Sequence, residues 1–148
     1  MQVKRGLYVF PDALPPDVYI ANKLYSPSYI SLEFALSYHG VIPETVYEIT
    51  SVTTKATRRF ETLGKIFSFH KIKKAAYTGY SVQKQNGISF YIADAEKAFV
   101  DANYLRLMNR QKPISRFNKD KINPEKALLY AKLFNNAKLI GIIKSTLK

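Results

Sequence analysis

Apolar and polar positions along this chain change period several times, and each change predicts an element. Residues 1–10 read as a short strand, and Pro11 with the Pro15-Pro16 pair predicts an extended connector after it. Over residues 28–39 nearly every position is apolar (Tyr29, Ile30, Leu32, Phe34, Ala35, Leu36, Tyr38). Such a run predicts a helix buried on more than one face, capped by Ser28 or Ser31 and stopped by Gly40. Residues 46–54, rich in Val, Ile, Thr and Tyr, predict a strand. Two more follow over 59–63 and 65–72 with Gly64 between them, and alternation sets Phe67 and Phe69 on one face. Asn86-Gly87 between 77–84 and 88–93 is a hairpin signature.

Asp94 then caps a helix to about Met108, with Ala98, Phe99, Ala102 and Leu105 at core spacing. Asn123-Pro124-Glu125 supplies an N-cap, an N1 proline and an acidic first turn for a helix to about Phe134. A last helix starts near Ala137, and its Ile140, Ile143 and Leu147 are expected to pack on the core instead of lying on lipid. Strands grouped together with helices grouped after them predict an α+β domain. The sheet is expected to be mainly antiparallel with four to five strands, one helix before it and about three after.

Composition narrows the chemistry. With 47% hydrophobic and 14% aromatic residues in 148, the chain can bury one core, which excludes disorder as its main state. Cysteine is absent, so disulfides, thiolate metal sites and cysteine nucleophiles are excluded. With only His39 and His70, no multi-histidine metal site is expected, and each reads as a core, capping or plain strand histidine. The apolar run after Lys4-Arg5 is too short for a signal-peptide core, and no window suits a spanning helix, so a cytoplasmic protein is expected.

Charge is both large and uneven. Lys and Arg number 23 against 11 Asp and Glu, a formal net of +12. Residues 1–50 carry three basic and five acidic groups, whereas 55–74 carry seven basic groups against Glu61 alone. The tail from 106 onward adds eleven basic groups against Asp120 and Glu125. Such blocks favour a polyanionic partner and salt-sensitive binding, although a solvated lysine face is the plain alternative. Lys55, Arg58, Arg59, Lys71, Lys73 and Lys74 are the candidate phosphate contacts, with Thr53, Thr54 and Thr57 as neighbouring hydroxyl donors. No recognition helix stands out, so backbone-level DNA contact is expected, not base readout.

Catalytic motifs are missing. The glycines are scattered, with neither a phosphate-binding loop nor a nucleophile elbow. Asp94, Glu96, Lys97 and Asp101 invite comparison with metal-dependent nucleases, but an adjacent Glu and Lys at a helix start suit capping better. No enzyme activity, cofactor or metal is expected.

Four stretches, taken in order, resemble one family. They are Lys4-Arg5-Gly6-Leu7-Tyr8, the segment over 28–43 ending in His39-Gly40-Val41-Ile42-Pro43, the segment over 49–55 followed by Arg58-Arg59, and the helix opening over 92–101 with Glu96, Lys97, Ala98 and Asp101. Together they are similar to AbiEi-type antitoxins of bacterial type IV toxin–antitoxin systems, which act in abortive infection and phage resistance. The resemblance implies a non-catalytic antitoxin domain over residues 11–148 that counters a nucleotidyltransferase-like toxin. It implies residues 1–10 as the last strand of a winged-helix wing, with the rest of that transcription-regulating, promoter-binding domain expected to be missing from this chain. Self-association is a further implied property, and a protein-interaction or multimerisation domain without DNA binding is the alternative.

Overall fold

The computed structural model describes residues 2–4, 7–8 and 14–148. Strands β1 (Gln2–Lys4) and β2 (Leu7–Tyr8) pair antiparallel as a separate ladder, in place of the single short strand that the pattern predicts. The rest of the expected wing strand and Pro11 lie outside the described residues. Six further strands, β3 (Ser28–Ile30), β4 (Ile49–Thr53), β5 (Arg58–Thr62), β6 (Lys65–Lys71), β7 (Tyr80–Gln85) and β8 (Ile88–Ala93), form one sheet. Their order is β5-β6-β4-β3-β8-β7. The helices are α1 (Asp17–Leu24), α2 (Leu32–Tyr38), α3 (Ala95–Met108), α4 (Pro124–Lys132) and α5 (Ala137–Thr146).

The α+β class holds, but the sheet is mixed, not mainly antiparallel. Neighbours β5–β6, β3–β4 and β7–β8 are antiparallel, while β4–β6 and β3–β8 are parallel. Strand number rises to six because residues 28–30 are a strand and not the first turn of a helix. A short apolar run flanked by serines fits a doubly buried strand as well as a buried helix, and β3 is buried at all three positions. The chain turns from β3 into α2 at Leu32, whose φ of +63 is unusual for leucine. Thr50 holds this junction: its hydroxyl donates to the Ser31 carbonyl at 2.6 Å and accepts from the Phe34 amide at 3.1 Å.

Helix α1 replaces part of the expected connector. Prolines suit a helix start, and the Pro16 carbonyl accepts from the Tyr19 and Ile20 amides at 3.0 and 3.1 Å. Val18, Ala21 and Leu24 then repeat at helical spacing and are buried. Asn22 on the same helix stands in for a missing strand neighbour. Its side-chain oxygen accepts from the Tyr91 amide at 2.7 Å, next to Ile92, the β8 residue that pairs with β3.

Elsewhere the local signals match the elements. Asn86 and Gly87 take φ of +53 and +76, as a tight hairpin turn with both central residues left-handed requires. The Asp94 carboxylate accepts from the Lys97 amide at 2.8 Å, and the Asn123 side chain accepts from the Glu125 and Lys126 amides at 3.0 and 3.2 Å. Phe67, Phe69, Ala98, Phe99, Leu139 and Ile143 are fully buried, so α3 and α5 both pack into the one core. Among the described residues no helix is long and apolar enough to cross a membrane.

Candidate nucleic-acid interface

Parallel pairing of β4 with β6 sets their C-terminal ends side by side, with Thr53 opposite Lys71. Strand β5 begins at this same end, with Arg58 opposite Phe69. Three of the six candidate cations, Lys55, Arg58 and Lys71, therefore meet at one end of the sheet, all exposed. Tyr25 lies beneath Lys55 and Arg58. Its ring centroid is 5.3 Å from the Lys55 ammonium and 5.5 Å from the Arg58 guanidinium, which also covers Phe60 at 4.8 Å. Stacking on a ring orients a cation without neutralising it, so these charges stay available to an anion.

The other three candidates diverge. Arg59 alternates to the opposite face of β5 and pairs with Glu61 at 2.9 Å. Lys73 donates to the Phe134 carbonyl at 2.6 Å, just past the end of α4, where a cation satisfies the orphan carbonyls of a helix terminus. Lys74 is exposed and opens a 3₁₀ turn at Lys74–Ala76. Two of the hydroxyls shape the turn. Thr53 donates to the Pro27 carbonyl at 2.7 Å and accepts from the Lys55 amide, and Thr57 accepts from the Lys71 amide at 3.1 Å.

The acidic group on α3 is fully engaged. Besides its cap, Asp94 accepts from the Tyr130 hydroxyl at 2.6 Å and pairs with Lys126 at 3.1 Å. Glu96 accepts from the Asn123 amide at 2.9 Å and so ties α3 to the start of α4. Among the described residues no three acidic or histidine side chains converge on a metal position. His39 contacts the Ala93 carbonyl at 2.7 Å, fastening the end of α2 to the end of β8. On β6, the Ser68 hydroxyl donates to Glu48 at 2.7 Å, so His70 must be the donor in its 3.2 Å contact with Ser68. Burial holds the His70 imidazole below its usual range, against the opposing pull of Glu48 and Glu33.

Sequence reasoning missed the most buried polar cluster. Lys97 and Asp101, one helical turn apart on α3, form an ion pair with no side-chain exposure. The Lys97 ammonium also donates to the Tyr29 hydroxyl at 2.9 Å and lies 5.1 Å from the Phe134 ring centroid. Asp101 accepts from Ser31 at 2.8 Å and from Tyr29 at 3.0 Å. Burial pushes the Asp101 carboxyl up, while the ammonium and the hydroxyl donors pull it down. Above the pair, Tyr29 stacks on Tyr80 at 4.6 Å, which links the core network to the surface of β7. The i, i+4 spacing of Lys97 and Asp101 is visible in the sequence, but on a helix it signals a solvent-facing pair just as well.

No family model, no curated protein and no solved structure matches this chain.

Proposed function

We propose that this chain is a non-catalytic antitoxin domain that counters a nucleotidyltransferase-like toxin and contacts DNA backbone through the basic end of its sheet. The meeting of Lys55, Arg58 and Lys71 beside the paired ends of β4 and β6 carries the DNA-contact reading. Lys55 and Arg58, stacked on aromatic rings, bind phosphate with little ordering cost, as backbone contacts require. The antitoxin role is taken from the ordered motifs, and the engagement of Asp94, Glu96 and Asp101 in structural bonds supports a role without catalysis.

Two experiments test it. Duplex binding should weaken in Arg58→Ala/Lys71→Ala by a similar factor for unrelated sequences, with the salt slope falling by about one for each phosphate that is no longer neutralised. Unchanged affinity and slope remove the interface. Co-expression with a type IV nucleotidyltransferase-like toxin should restore growth relative to empty vector; folded chain without rescue removes the antitoxin role.

Self-association is the second reading, favoured by β7. This sheet edge is exposed at all six positions and offers unpaired backbone groups to another strand. A single concentration-independent monomer in sedimentation excludes it.

A further inference from the structure

Between α1 and the β7–β8 hairpin lies an open groove of about 870 Å³. Its walls carry Tyr77, Tyr80, Val82 and Tyr91, and Lys23 and Lys55 stand on its rim. Tyr91 is 48% exposed and Tyr80 39%. No acidic side chain lines it among the described residues. We propose that this groove receives a single strand of nucleic acid, with unpaired bases stacking on Tyr80 and Tyr91 and phosphates meeting Lys23 and Lys55.

Three observations favour that occupant. An apolar protein segment would gain from Val82 and the rings but would have no use for two cations without a counter-charge, whereas a nucleotide presents an aromatic base and an anion together. The rings are also preorganised. Tyr80 lies stacked on Tyr29, whose hydroxyl is fixed by Lys97 and Asp101, and the Tyr80 and Tyr91 rings stand perpendicular to each other with centroids 5.7 Å apart. A base landing there costs little side-chain entropy. Finally, Lys55 belongs both to the groove and to the basic end of the sheet, so a backbone leaving the groove runs on to Arg58 and Lys71. A lone nucleotide would leave that track unused. Duplex bases, stacked inside the helix, cannot reach the rings at all.

The inference extends the DNA-contact reading and rests on it, and the test separates the two. Fluorescence anisotropy compares a labelled 15-nucleotide oligothymidylate with a 15-base-pair duplex, using the full chain. The wild type should bind the single strand about tenfold or more tightly than the duplex. Lys23→Ala/Tyr91→Leu should lose at least about tenfold on the single strand and less than about twofold on the duplex. Arg58→Ala/Lys71→Ala should weaken both. Leucine keeps apolar cover on the hairpin, and circular dichroism confirms that each variant folds. Equal or tighter binding of the duplex by the wild type overturns the proposal and leaves backbone contact standing, as does a groove variant with full single-strand affinity. Displacement of the oligonucleotide by thymidine monophosphate at equal concentration also overturns it, in favour of a free nucleotide. Binding to neither nucleic acid removes both readings.

Discussion

Replacing Asp101 by alanine strands the Lys97 ammonium in the core. Neither side chain of the pair is exposed, so the lone charge has no water to turn to. It keeps the Tyr29 oxygen at 2.9 Å and the faces of the Tyr29 and Phe134 rings. The Ser31 hydroxyl, 0% exposed, loses its acceptor as well, whereas Tyr29 retains the Thr78 carbonyl at 3.3 Å. Removing one partner of a buried pair costs about 3–5 kcal/mol, and the orphaned serine hydroxyl lies within that figure. Against a typical total stability of about 5–15 kcal/mol, the variant should stay foldable but be severely weakened. In urea, with a slope of about 1–3 kcal/mol per molar, the midpoint should drop by at least about 1 M at unchanged slope. Lys97→Met removes the charge from the other side. The double variant should therefore be less destabilised than the two singles together, by at least about 2 kcal/mol. A loss below about 1 kcal/mol for Asp101→Ala, or additivity within about 0.5 kcal/mol, would refute the claim that this pair is a coupled core element.

Two other outcomes follow from the same geometry. Gly79 has φ of +81, and a Cβ built there would lie 2.7 Å from the Lys97 Cγ. Gly79→Ala should cost more than the about 1–2 kcal/mol of a left-handed alanine, while Gly87→Ala, with φ of +76 and nothing within 4 Å, should cost no more than that. Thermal or urea melts of the two variants give the comparison, and equal losses would show that the Lys97 stem yields freely. Because burial lowers the His70 pKa, the unfolded chain takes up a proton near pH 6.5 that the folded chain refuses. His70 therefore contributes full stability above that pH and loses it as pH falls through 6.5 toward the folded value. The wild type should lose more of its urea midpoint between about pH 7 and 5.5 than His70→Gln does; parallel curves would put the imidazole in solvent.

Many of the local signals were legible in the sequence, although the proline-started α1 reads there as a connector. The left-handed turn at Asn86-Gly87, the caps at Asp94 and Asn123 and the alternation of Phe67 with Phe69 each depend on a few neighbouring residues, and the structure has all of them. The uneven charge was equally legible, since a count needs no fold. Only the tertiary structure decided what depends on residues far apart in the chain. Residues 28–30 became a strand because β4 and β8 flank them, and the parallel run of β4 beside β6 selected Lys55, Arg58 and Lys71 from the six cations. Lys97, read on the sequence only as part of an acidic helix start, went to the core because Asp101 and Tyr29 together satisfy an ammonium there, with Ser31 donating to the carboxylate. Periodicity reports which face a residue occupies, but desolvation is set by whatever that face meets, and only packing determines the neighbour.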